Sequence, residues 1–123
     1  MNSMHLFFSH QLSDEQIKDA KTSLNITEFK ALPKDLQTRF SNVPPSLDSL
    51  DEYAKDFYEY IDKNTKKGDF LLISGDFGLC FKLINYAKAK SLKPVYATTK
   101  REVLKDENGV KQSIFKHIKF REF

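Results

Sequence analysis

Phe70-Leu71-Leu72-Ile73 is apolar at four successive positions. A strand with one wet face alternates polar and apolar residues. A strand that is apolar throughout is covered on both faces, as an interior strand of a parallel sheet is. Lys66-Lys67-Gly68 precedes this run and Gly75-Asp76-Phe77-Gly78 follows it, so turn residues bound it and it is too short for a helix. Such a strand requires neighbours on either side and helices above and below.

The remaining chain offers them in alternation. Met4 to Ser9, with Leu6-Phe7-Phe8 at its centre, reads as a first strand. Ser13 and Gln16 form a capping-box pattern opening a helix, which carries Ile17, Ala20, Lys21 and Leu24 at helical spacing and stops at Asn25. Ile26 to Leu32 reads as a second strand, with Ile26, Glu28 and Lys30 alternating against Thr27, Phe29 and Ala31. Pro33 suits the first position of a short helix running through Phe40. Ser49 to Glu52 resembles another capping box, ahead of a helical face of Leu50, Tyr53, Ala54, Phe57 and Ile61 that Gly68 closes as a left-handed cap. Leu79, Cys80, Leu83, Ile84 and Ala87 mark a further helix. Pro94 to Thr98 is the fourth strand, and Arg101 to Lys105 and Lys111 to Phe120 form a hairpin about Asn108-Gly109.

This order predicts an α/β fold. The expectation is one Rossmann-like domain over residues 1–123, with a mainly parallel sheet in the order 2-1-3-4, helices on both faces and a C-terminal β-hairpin on the far edge. In such sheets ligands bind beyond the carboxyl ends of the strands, where the chain reverses direction. The segments predicted to meet there are Ser9-His10, Ser74 to Gly78, and Thr98-Thr99-Lys100-Arg101.

Each segment has both a functional and a purely structural reading. Gly75 and Gly78 let backbone approach a ligand at a helix start, whose free N–H groups suit phosphate. Alternatively the turn is only a strand-to-helix connection with Asp76 as its cap. Phe77 and Asp76 are candidate ligand contacts, Asp76 to a ribose hydroxyl rather than to phosphate. Thr98 and Thr99 offer hydroxyls. Lys100 and Arg101 offer a point charge and a bidentate clamp for phosphate, or else a polar entry to a surface hairpin. His10 is a candidate proton-transfer group or a structural residue, and Ser9 a ligand contact. His117, Lys119 and Arg121 alternate on one side of the last strand, as an anion surface or as the solvent face of an edge strand.

The net charge of +3 conceals an asymmetry: residues 1–62 sum to −5 and residues 63–123 to +8. Charge of one sign gathered in one half attracts an anionic partner. Cys80 is the only cysteine, which excludes an internal disulfide and a cysteine zinc cluster. No metal-ligand spacing occurs, so neither a metal nor a cofactor is expected. The apolar runs are far shorter than a membrane span and the first residues lack a signal-peptide core, which predicts a soluble, cytoplasmic protein without membrane contact.

Four segments together resemble a small CRISPR-associated protein family of type III systems: His10-Gln11-Leu12, Gly75-Asp76-Phe77-Gly78, Ala97 to Arg101, and Ser113 to Arg121. The resemblance runs through nearly the whole chain in the same order. It implies a domain related to the CRISPR-associated Rossmann fold (CARF) sensors and similar to ring nucleases, which bind and linearise cyclic oligoadenylate messengers, usually as homodimers. On that likeness the partner is a cyclic oligoadenylate, cyclic tetra-adenylate foremost, and not DNA. Linearisation needs no metal if a ribose 2′-hydroxyl attacks the adjacent phosphorus. His10, Lys100 and Arg101 are then the catalytic candidates, and Ser9, Gly75, Asp76, Phe77, Gly78, Thr98 and Thr99 the ligand-binding ones. Two other readings stand beside it: a protein that binds the messenger without cleaving it, and a basic RNA-binding adaptor.

Overall fold

The computed structural model describes residues 2–123. In chain order the elements are β1 (Asn2–Phe8), α1 (Asp14–Ser23), β2 (Ile26–Ala31), α2 (Lys34–Ser41), α3 (Asp51–Asn64), β3 (Phe70–Ser74), α4 (Phe77–Ala89), β4 (Lys93–Lys105) and β5 (Lys111–Glu122). The protein is α/β, with one five-stranded mixed sheet in the order β2-β1-β3-β4-β5. The pairs β1–β2, β1–β3 and β3–β4 are parallel and β4–β5 is antiparallel. The sheet curls into a half-barrel.

Alternation along the two central strands sorts the core. Phe7, Leu71 and Ile73 face α3 and α4 in a cluster with Phe40, Phe57, Ile61, Leu79 and Leu83. Met4 and Leu72 face the other way, against Ala20 of α1, with Ile26, Val95 and Phe120. Helices therefore cover both faces, but unequally, α1 standing alone on its side. Phe40 packs edge-on between Phe7 and Phe57, with ring centroids 6.2 Å away in each case. All three rings are excluded from water; each contributes roughly 1.5–3 kcal/mol of apolar burial.

The helix starts follow the sequence in two places and depart from it in two others, the first at α2, where Pro33 is the extended N-cap (ψ 150°) and not the first helical residue. At α1, Ser13 accepts from Gln16 N and Gln16 accepts from Ser13 N, a complete capping box. At α4, the Asp76 carboxylate accepts from Leu79 N at 3.0 Å. At α3 the expected box at Ser49 is absent: Leu50 is the N-cap, and Ser49 Oγ instead accepts from Asp51 N two residues on. The end of α3 also differs. The helix stops at Asn64 with Thr65 extended, so Gly68, at φ +90°, serves the turn into β3 rather than a helix cap.

The hairpin is built differently from the expectation. The fourth strand and the first hairpin strand are one continuous element, β4, which pairs with β3 only over Lys93–Val95 and with β5 over its whole further length. Both edge strands carry a bulge. Thr27 has no partner between Ile26 and Glu28, which pair with Asn2 and Ser3. Ile118 has none between His117 and Lys119, which pair with Thr99 and Thr98. A bulge inverts the alternation beyond it. Ile26 and Phe29 consequently share one core face, and His117 turns inward beside Phe120, with ring centroids 4.8 Å apart. The expected basic face of His117, Lys119 and Arg121 is thus broken: the His117 side chain is only 5% exposed.

Candidate functional site

A cleft of about 700 Å³ opens at the carboxyl ends of β1 and β2, beside α2 and the start of α1. Its floor is apolar, made by Leu6 and Phe8 of β1, Phe29 and Ala31 of β2, and Leu12 and Ile17 at the start of α1. The local reason is the strand period. Leu6 and Phe8 point to one face of β1, and the Thr27 bulge brings Phe29 and Ala31 onto that same face, with Leu6 and Ala31 directly paired. The rim is polar: Ser9, His10, Gln11, Gln37, Ser41 and Asn42.

Hydrogen bonds fix one wall. Gln37 Nε2 donates to the carbonyl of Phe8 at 3.0 Å and to Ser41 Oγ at 3.2 Å, and Ser9 Oγ lies 2.9 Å from Ser41 Oγ. Gln37 and Ser41 are one helical turn apart, so one side of α2 is tied to the end of β1. His10 lies edge-on to Phe8 at 5.5 Å between ring centroids, and among the described residues its imidazole bonds to no other side chain. No Lys, Arg, Asp or Glu lines the cleft. A neutral pocket of this size with an aromatic floor and amide and hydroxyl groups at its rim suits a planar, hydrogen-bonding ligand part such as a nucleobase.

The structure divides the residues singled out in the sequence. Ser9 and His10 line the cleft. Gly75, Asp76, Phe77 and Gly78 do not line it. A Cβ at Gly75 would sit 2.8 Å from Phe40 Cε2, and one at Gly78 would sit 3.2 Å from Leu50 Cδ1. Packing accounts for both glycines, and neither has a positive φ. Asp76 is the α4 cap, and Phe77 is 94% exposed. On β4 the four residues alternate between faces. Thr98 Oγ1 donates to the Lys119 carbonyl and accepts from Lys119 N. Thr99 lies opposite the bulge, Lys100 is exposed, and Arg101 donates from Nε and Nη2 to Ser113 Oγ. None of these four lines the cleft.

Two His–Asp pairs escaped the sequence reading. His5 Nε2 lies 2.9 Å from Asp69 Oδ2, fully buried, and Lys66 N also donates to that oxygen at 3.1 Å. His117 Nε2 lies 2.8 Å from Asp19 Oδ2. Burial acts to raise the Asp19 carboxyl, but the hydrogen bonds from Ser23 and His117 and the charges of His117 and Lys119 outweigh it and hold the group below the ordinary aspartate value. The pairs join residues far apart in sequence, so no spacing signals them. The wall on α2 was legible in principle, as Gln37 and Ser41 at i and i+4. Among the described residues no three His, Cys, Asp or Glu side chains converge on a metal-holding group, and no helix is long and apolar enough to cross a membrane.

The chain belongs to the family described as "Uncharacterized protein MJ1673 family", which it matches over residues 2–121. It is 44% identical over 126 residues to the "Uncharacterized protein MJ1673" of Methanocaldococcus jannaschii, an alignment covering 100% of this chain and 98% of the relative. No solved structure matches it.

Proposed function

We propose that this chain is a Rossmann-like nucleotide-binding domain that takes a cyclic oligoadenylate, cyclic tetra-adenylate foremost, and linearises it to end type III CRISPR signalling. The observation that carries the reading is the neutral cleft of about 700 Å³ with Phe8 and Phe29 in its floor and the amides of Gln11, Gln37 and Asn42 at its rim. An adenine offers a π-face to the rings and a hydrogen-bonding edge to the amides. His10 stands at the mouth, where the ribose and phosphate of such a ligand lie.

In this reading the ribose 2′-oxygen forms a bond to the adjacent phosphorus as the bond from phosphorus to the 5′-oxygen breaks, leaving a 2′,3′-cyclic phosphate and a 5′-hydroxyl. His10 takes the 2′-hydroxyl proton, and a water molecule protonates the departing 5′-oxygen. The charge on the phosphorus oxygens calls for a cation, and neither Lys100 nor Arg101 lines this cleft. A homodimer places two clefts at a two-fold ring. The reading implies a cytoplasmic protein that needs no metal.

A second reading, binding without cleavage, is favoured by two features: the cleft wall holds no cation, and among the described residues no side-chain hydrogen bond holds the His10 imidazole. The deciding experiment incubates purified protein with cyclic tetra-adenylate and cyclic hexa-adenylate in EDTA and resolves the products by chromatography. Linear product that disappears in His10→Ala supports cleavage. Tight binding with the ring recovered intact supports the second reading. No binding of either ring overturns both.

A further inference from the structure

Beyond Val95, β4 leaves β3 and is paired only with β5, forming a two-stranded ribbon. We propose that one face of this ribbon is a binding track for a single-stranded polynucleotide, separate from the cleft. The register fixes which residues share that face: Arg101 lies opposite Phe115, Val103 opposite Ser113, and Lys105 opposite Lys111. Phe115 is 67% exposed. The Arg101 guanidinium is held on this face by Ser113 Oγ at 2.9 and 3.2 Å, in the row next to Phe115.

The charges that the ribbon itself puts on this face have a single sign. Arg101, Lys105 and Lys111 stand on it and no carboxylate of either strand does; the Asp19 carboxylate of α1 meets the face only at its root, through His117. Glu102 points to the reverse face, and Asp106 and Glu107 lie in the turn, where the Asp106 carboxylate already accepts from Asn108 N and Val110 N. Two cross-strand pairs are like-charged, Lys105 with Lys111 here and Lys100 with Lys116 on the reverse. Like charges directly opposite destabilise a strand pair, and a two-stranded ribbon has little stability to spare. Among the described residues none of these lysines has an ion-pair partner. An anion between the paired lysines removes the repulsion. A single-stranded polynucleotide supplies that anion as phosphate and also a base to stack on Phe115, the combination of cations and exposed ring that such strands require. An acidic peptide supplies only the charge.

The test is a fluorescence-anisotropy titration of the full chain with labelled RNA and DNA oligonucleotides of one sequence over a salt series. Binding is expected to weaken linearly on logarithmic axes as salt rises. Lys105→Gln with Lys111→Gln should lower that slope by about 1.4, about 0.7 for each phosphate left without its lysine. Phe115→Ala should weaken binding by about 5- to 150-fold with the slope unchanged, the effect of removing one base stack. Lys105→Arg with Lys111→Arg should retain binding, and Lys67→Gln with Lys88→Gln, exposed lysines elsewhere, should change nothing. Equal binding of RNA and DNA supports a backbone-and-base track, and preference for RNA supports one that also reads the 2′-hydroxyl. Three results overturn the proposal: no binding of either strand at low salt; equal weakening in the Lys67/Lys88 variant; or displacement by polyglutamate with Phe115→Ala harmless, which marks a surface for acidic proteins. Cyclic tetra-adenylate binding, measured on the same variants, fails or persists independently, so this track and the cleft are judged apart.

Discussion

His117 Nε2 lies 2.8 Å from Asp19 Oδ2 and joins the last strand to the first helix across 98 residues of sequence. The pairing exists because of the Ile118 bulge. Without it, His117 and Phe120 would face opposite sides of β5. With it, Phe120 enters the core beside α1 and His117 reaches the Asp19 carboxylate at the root of the ribbon. The pair thus ties the root of the ribbon to α1.

Asp19 titrates below its ordinary value of 3.8 in the folded chain. Its contribution to stability is therefore complete above that ordinary value and lost as pH falls through the depressed folded one. Asp19→Asn is expected to cost about 1 kcal/mol at neutral pH, the scale of a partly exposed charge-assisted hydrogen bond. Urea denaturation of both proteins at neutral pH and at a pH below the folded value checks this. The gap should close in acid; a gap independent of pH refutes the assignment.

Gly75→Ala tests why the turn after β3 carries glycine. The new methyl would meet Phe40 Cε2 at 2.8 Å, and Phe40 is itself wedged between Phe7 and Phe57. A ring packed on both sides has nowhere to go, so the substitution is expected to cost about 1–3 kcal/mol. A thermal melt of the variant unchanged from the parent would show that Phe40 yields, and would free Gly75 for a role in ligand approach alone.

The interior of the fold was far more legible than its edges. Phe70 to Ile73 announced β3 because burial on both faces leaves a continuous apolar run. Ser13 and Asp76 announced helix starts because capping is chemistry within three residues. The edge strands misled, since alternation assigns faces only while pairing stays in register. Thr27 and Ile118 each break it, and nothing local in the sequence marks either one. The site was legible to the same extent. Ser9 and His10 follow a strand whose place was clear. Thr98 to Arg101 follow a strand that was expected to end and instead continues as the ribbon, taking those residues away from the cleft. Phe29 and Ala31 reached the cleft floor only through the Thr27 bulge.

Asp69 at the entry to β3 is a buried charge whose removal should be severe. It accepts from His5 Nε2 and Lys66 N, and Asp69→Ala leaves both donors unpaired, the His5 imidazole away from water. The expected cost is about 3–5 kcal/mol. Replacing His5 and Asp69 by leucine should recover part of it, because the buried imidazole donor goes with its acceptor and only Lys66 N is left without one. Denaturant midpoints of the single and double variants decide. A double variant no more stable than Asp69→Ala would mean the pair orders the β1–β3 junction beyond its charge balance.

Ala31→Phe asks whether ligand enters the cleft at all. Ala31 is exposed on the cleft floor, opposite Leu6 in the β1–β2 register. A phenyl group there occupies the space between Phe8 and Phe29 without entering the core, and an aromatic residue is well tolerated in a strand. The melting temperature should hold while affinity for cyclic tetra-adenylate falls by at least about tenfold, roughly 1.4 kcal/mol. His10→Ala is expected to do the reverse, keeping affinity and losing turnover. Isothermal titration and product chromatography on the two variants separate occupancy from chemistry. An Ala31→Phe protein that binds like the parent would exclude the cleft as the ligand site and leave the exposed end of β4, with Lys100 and Arg101, as the place to look.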